Sequence, residues 1–118
     1  MIGTITNLRP QLRLEVKGPG GQGIIEFTVD TGYTGTLTLS AADCAALQLT
    51  WISEELSRLA DGTEIRLNVY LLTLTWHDRE REVEILALGE EPLLGATLLE
   101  DSKICLDFPA NILTVEEA

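Results

Sequence analysis

The stretch VDTGYTG, residues 29–35, holds three residue types that can do chemistry together. Asp30 ends the apolar run IIEFTV. A carboxylate there is costly to bury unless it is hydrogen-bonded or shares its charge with a partner. Thr31 adds a short hydroxyl beside it. Gly32 has no side chain, so a second backbone or a water can come close. Those properties suit a carboxylate that faces its own symmetry mate. Two such groups across a two-fold axis cannot both ionise cheaply, so they share a proton and titrate as a pair. The ionised member can take a proton from a water between them, while the protonated member donates to a substrate carbonyl. That is general acid–base hydrolysis of an amide. The chain has a single Asp-Thr-Gly, so the second acid must come from another copy. The plainer alternative makes Asp30 a turn residue, with Thr31 and Gly32 as ordinary turn chemistry.

The elements that must position Asp30 read mostly as strands. In QLRLEVK, Leu12, Leu14 and Val16 fall on one face, and Arg13, Glu15 and Lys17 on the other. GPGGQG reads as a turn, IIEFTV as the strand entering Asp30, and TLTL as another short strand. SAADCAALQL predicts a short helix, with Ser40 as cap and Asp43 three residues on. SEELSRLADGTEIRLNVYLLTLTW reads as strand, Asp61-Gly62 turn, strand, because both turn residues tolerate positive φ. His77-Asp78-Arg79 is expected to break the next pairing, after which EREVEILAL alternates again. PLLGATLLED predicts a tight turn and one helical turn. KICLDF and NILTVE form a hairpin around Pro109-Ala110-Asn111. The sum is seven or eight strands, one or two short helices and no long linker. A faint two-fold pattern links FTVDTG…SAADCAAL to EILALG…GATLLED. A single all-β domain over residues 1–118, closed or barrel-like, follows.

Composition narrows the function classes. The 118 residues carry a net charge of −11, which repels phosphate backbones, and no basic stripe offsets it. Nucleic-acid binding is not expected. No apolar run approaches the roughly 18 residues of a membrane helix. MIGTITNLRP lacks a basic segment leading into an apolar one, so no signal peptide is expected. Cys44 and Cys105 have neither CxxC nor zinc-ligand spacing and sit among apolar neighbours. They read as reduced, buried thiols rather than the alternative of a single disulfide, which points to the cytoplasm. His77, the only histidine, lies in a polar turn and reads as solvated, without partners for a metal site. Trp51 and Trp76 read as packing residues, and Glu80–Glu82, Glu90-Glu91 and Glu116-Glu117 as solvated faces. One histidine and no Gly-x-Ser-x-Gly leave little for serine or cysteine catalysis.

Four segments in order, IEFTVDTGYTGTLTLS, LADGTEI, EEPLLGATLLED and KICLDF, resemble a retropepsin-like aspartic protease of the short bacterial, single-lobed type. The resemblance runs from about Ile24 to Val115. It implies a retropepsin-like closed β fold and an endopeptidase that is active as a homodimer, cutting extended peptides without metal or organic cofactor. Asp30 would be the catalytic carboxylate, Thr31 would bond across the dimer axis, and Gly32 would allow the close approach. Leu93, Leu94 and Gly95 would pack behind the active-site turn. The hairpin at Asp61-Gly62 would be a flap. Its backbone from Ala60 to Thr63 would pair with substrate as an added strand. Tyr33, where the family favours a small residue, would line the pocket or cover the turn. The flap has one glycine where retroviral flaps have several, and Ala96 stands where retroviral members place an arginine. The competing implication is a non-catalytic module that kept the fold for dimerisation or peptide binding. With 19 acidic against 8 basic side chains, protonation should ease association and supply the half-protonated pair. Activity below neutral pH is expected.

Overall fold

Alternation becomes sheet. The computed structural model describes all residues, Met1–Ala118. In chain order the elements are β1 (Ile2–Thr6), β2 (Arg9–Gly18), β3 (Gly21–Val29), β4 (Leu37–Leu39), α1 (Ala41–Ala46), β5 (Thr50–Arg58), β6 (Glu64–Trp76), β7 (Arg79–Ala87), β8 (Leu93–Leu94), α2 (Ala96–Leu99), β9 (Ser102–Asp107) and β10 (Ile112–Glu117). There are ten strands, not seven or eight. β1 and β8 are the additions. β1 turns into β2 through Asn7 and Leu8 at φ 51° and 65°, with no glycine to announce the turn. β8 is two residues long and lies in the segment PLLGATLLED, where the sequence predicts a tight turn.

The strands pair in the order β5-β6-β7-β4-β8-β3-β2-β1-β10-β9. A further pairing, Val16 with Leu74 and Lys17 with Thr73, joins β2 to β6. That contact closes β6, β7, β4, β8, β3 and β2 into a ring. The arms β5 and β1-β10-β9 extend from it. Phe27, Leu12, Leu37, Leu39, Leu74, Ile85, Leu94, Leu98 and Leu113 fill the interior and are essentially inaccessible to solvent. Burying such side chains is the main favourable contribution to folding.

The two-fold pattern in the sequence is present in the pairing. β3 runs parallel to β8, and β4 runs parallel to β7. β4 and β8 meet antiparallel at Leu37 and Leu94. Each strand–turn–strand unit therefore supplies a strand to the other. Each also ends in a short helix, α1 or α2. Ser40 caps α1, its hydroxyl accepting from the Asp43 amide at 3.1 Å.

Local expectations fare differently. GPGGQG contributes only Pro19 and Gly20 to the turn, because Gly21, Gln22 and Gly23 pair with Gly18, Lys17 and Val16. His77 and Asp78 do not break a pairing. At φ 51° and 62° they form the two-residue turn that joins β6 to β7. Cys44 is buried, but Cys105 is exposed, since the period of β9 puts it opposite the core-facing Ile104. Trp76 is buried. Trp51 is 55% exposed, and its indole donates to Asn68 Oδ1 at 3.1 Å. His77 is partly covered and its Nε2 lies 2.7 Å from Ser102 Oγ. Glu91, read as solvated, accepts from Thr28 Oγ1 at 2.7 Å and pairs with Arg9. Glu80 and Glu117 hold Lys17 and Arg79.

Candidate active site

Asp30 follows three buried residues, Phe27, Thr28 and Val29, at the end of β3. The turn that follows is held by Asp30 itself. Its Oδ1 accepts from the Gly32 amide at 3.0 Å, and its carbonyl accepts from the Tyr33 amide at 3.1 Å. A Cβ on Gly32 would lie 3.2 Å from that Oδ1, so a side chain would crowd the carboxylate. Thr31 is exposed and its hydroxyl makes no hydrogen bond within the chain.

The segment 92–97 fastens this turn from the other side. The Asp30 amide donates to Leu94 O at 2.9 Å, and the Thr28 amide donates to Pro92 O at 2.9 Å. The Leu93 amide donates to Thr38 Oγ1 at 2.9 Å. The amides of Gly95, Ala96 and Thr97 donate to the carbonyls of Thr36, Tyr33 and Gly35 at 2.8, 2.8 and 3.2 Å. The Thr97 hydroxyl adds a bond to Thr34 O. Two glycines permit this approach. A Cβ on Gly95 would fall 2.2 Å from Gly35 O, and a Cβ on Gly35 would fall 2.2 Å from Tyr33 Oη.

Tyr33 lies against this turn, partly covered. Burial raises its phenol above the ordinary value, and negative Glu55 raises it further, so it stays protonated at neutral pH. Glu55 belongs to β5, one arm of the Asp61-Gly62 hairpin. The hairpin tip is a different kind of structure. Ala60, Asp61, Gly62 and Thr63 are all exposed. The Leu59 amide donates to Thr63 O at 2.8 Å, the Gly62 amide to Leu59 O at 2.9 Å, and the Thr63 amide to Asp61 Oδ1 at 2.9 Å. Gly62 sits at φ 88°, where other residues are strained. The Thr63 backbone bond lowers the Asp61 carboxyl below the usual range.

The site residues named from sequence thus fall into two groups. Asp30, Gly32, Tyr33, Leu93, Leu94 and Gly95 form one hydrogen-bonded knot with Thr31 exposed on its turn, and Ala60–Thr63 stand apart at a hairpin tip. Sequence reasoning missed Thr34, Thr36, Thr38 and Thr97, which fasten the knot mostly through carbonyls and hydroxyls. The spacing of Thr34, Thr36 and Thr38 was the available signal. A cavity of about 290 Å³ between β2, β3 and β6, lined by Glu15, Lys17, Gln22, Thr73, Thr75 and Glu80, includes none of these residues. No cluster of three or more histidine, cysteine or acidic side chains could hold a metal ion. No helix is long and apolar enough to cross a membrane.

No family model matches the sequence, and no curated protein matches it. Solved structures do. A retropepsin-like aspartic protease from Rickettsia conorii aligns with a TM-score of 0.67 at 20% identity, over 98% of this chain and 88% of that one. The simian foamy virus (mac) protease aligns at 0.50 and 26% identity, over 75% of this chain and 92% of that one. The EIAV protease complexed with the inhibitor HBY-793 aligns at 0.56 and 17% identity, over 81% and 91%. The knot around Asp30 is therefore set in the fold of the retropepsin-like aspartic proteases.

Proposed function

We propose that this protein is an aspartic endopeptidase whose active unit is a homodimer, with one Asp30 from each copy. The observation that carries the proposal is the fixed carboxylate of the one Asp-Thr-Gly, at the end of a buried strand in a fold shared with proteases. The exposed Thr31 hydroxyl, free within its own chain, supports a bond across the axis. One Asp30 takes a proton from a water whose oxygen attacks the peptide carbonyl carbon. The other gives its proton to the carbonyl oxygen. The first Asp30 then returns its proton to the amide nitrogen, the C–N bond breaks, and the second takes a proton from an adduct hydroxyl as the carboxyl product forms, which restores the pair. Leu93, Leu94 and Gly95 hold the acid in place. Tyr33 and the backbone of Ala60, Asp61, Gly62 and Thr63 contact an extended peptide or protein substrate. The thiols of Cys44 and Cys105 are both free, which suits a cytoplasmic setting.

The test is cleavage of a broad peptide library across pH, with Asp30→Asn as control. Cleavage by the native chain alone supports the proposal. Equal binding without cleavage by both would leave a peptide-binding module instead. Specific activity should fall on dilution below the dimer dissociation constant. The rate should also rise as pH drops below neutral. A flat profile from about pH 4 to 8 contradicts the shared-proton pair.

A further inference from the structure

A second carboxylate stands near Asp30 with one oxygen unused. Thr28 and Asp30 are two residues apart at the end of β3, so their side chains leave it on one face, about 7 Å from each other. The Asp30 amide donates to Leu94 O, which carries the pairing of β3 with β8 through that position. Thr28 is 8% exposed, and its hydroxyl donates to Glu91 Oε1 at 2.7 Å. Arg9 holds the same oxygen. Glu91 Oε2 makes no bond within the chain, and the side chain is 43% exposed. We propose that Glu91 selects substrates with lysine or arginine beside the cut bond. The inference rests on the proposed function and names its substrate class.

Geometry and charge point the same way. A carboxylate offers about four acceptor sites on its two oxygens. Thr28 and Arg9 occupy only Oε1, so Oε2 can take a further donor, and an ionised donor bonds it most strongly. The four-carbon stem of a lysine spans about 6 Å, close to the Thr28–Asp30 spacing. A residue whose carbonyl lies at Asp30 can therefore set its cation on Glu91. In a two-fold dimer one Glu91 stands on each side of the cut bond. The only cation in this cluster is Arg9. Glu91, the exposed and unpaired Glu90 and the shared charge of the acid pair outweigh it. An acidic side chain aimed at Arg9 meets that surplus, in a chain with 19 acids against 8 bases. An apolar side chain covers Oε2 without satisfying it.

Arg9 competes with a substrate cation for Glu91. If the pair only fastened Thr28, losing either member would disturb the site in the same direction. A selecting carboxylate responds in opposite directions. Without Glu91 the preference for a basic side chain is lost. Without Arg9 it grows, because the carboxylate is left with the Thr28 hydroxyl alone. Glu80, on β7, pairs with Lys17 and shares no bond with the Asp30 turn. It contributes the same charge without the position.

The probes are matched peptide pools that hold lysine, norleucine or glutamate at one fixed position. Cuts beside that position are read by mass spectrometry, at concentrations where the rate reports kcat/KM. The native chain should cut beside lysine about tenfold faster than beside norleucine, and slowest beside glutamate. Added salt should shrink the lead. Glu91→Gln keeps an acceptor for Thr28 and should bring the lysine-to-norleucine ratio near one. Arg9→Gln should widen it, and Glu80→Gln should leave it as it is. Thermal transitions check that each variant folds. An unchanged ratio in Glu91→Gln, equal shifts in Glu91→Gln and Arg9→Gln, or faster cleavage beside glutamate overturns the inference and leaves the protease reading standing. Binding to Asp30→Asn chains, by fluorescence anisotropy, reads the same preference without cleavage. If the native chain cuts nothing, yet the lysine pool binds more tightly and Glu91→Gln abolishes the difference, the selecting carboxylate stands and the protease reading falls. If nothing is cut and no preference is bound, both fall.

Discussion

The Asp30 turn and the Asp61-Gly62 tip are both turns after a strand, yet they are built on opposite principles. The first is fastened to a segment about 60 residues away through bonds from Asp30, Gly95, Ala96 and Thr97. Opening it means breaking the interior that surrounds Leu94 and Leu37. The second is fastened only to itself, through Leu59, Gly62 and Thr63. No hydrogen bond reaches Ala60–Thr63 from outside the hairpin. Local unfolding free energies span this range within one protein. The proposed function asks for this contrast, since a reacting acid at Asp30 would need fixed geometry and a cover at the tip would need the reverse.

Four changes would break or sharpen that contrast, the largest first. Asp30→Asn should lower peptide cleavage by roughly 10² to 10⁴-fold while leaving the thermal transition in place, measured by steady-state kinetics beside calorimetry. Gly95→Ala should destabilise the whole chain by about 3 kcal/mol, because its Cβ meets backbone that cannot move aside, and denaturant titration reads this directly. Gly62→Ala meets no steric contact but must hold φ 88°, a strain of about 1 kcal/mol. It should raise KM while leaving the denaturant midpoint almost unchanged. Equal loss of global stability at both glycines would abolish the contrast.

The smallest effect is a pH effect at the tip. The Asp61 carboxyl is lowered in the folded state, chiefly by the Thr63 amide. A lowered acid contributes its stabilisation above the unfolded-state value, near about pH 3.9, and loses it as pH falls through the folded value. Exchange of the Thr63 amide should therefore stay slow through the ordinary aspartate range and quicken below it. Exchange of the Asp30 amide should follow global unfolding instead.

Much of this was legible in the residues. The alternation in QLRLEVK and EREVEILAL, the Ser40 cap and the Asp-Gly turn each act locally, so sequence reports them. The place of Asp30 at a strand end was legible because the apolar run IIEFTV leads straight into it. What stayed hidden depends on distant backbone. The carbonyls of Tyr33, Thr34, Gly35 and Thr36 that receive the 95–97 segment have no side-chain signature. Gly95 hinted at a close approach without saying to what. The apolar neighbours of Cys105 suggest burial, whereas the period of two in KICLDF puts it on the outer face, where it is exposed. His77 found Ser102, 25 residues on, a contact no local pattern announces.

The exchange of strands between the two half-motifs reaches beyond the site. Neither β3-β4-α1 nor β7-β8-α2 can finish its own pairing, because each lacks a parallel neighbour that the other carries. A nascent chain emerging from synthesis must wait for Leu94 before Asp30 has anything to rest on. Folding should then be late and all-or-none, as expected where most pairings are remote in sequence. Fragments cut between α1 and β5 should be inert alone and should reassemble when mixed.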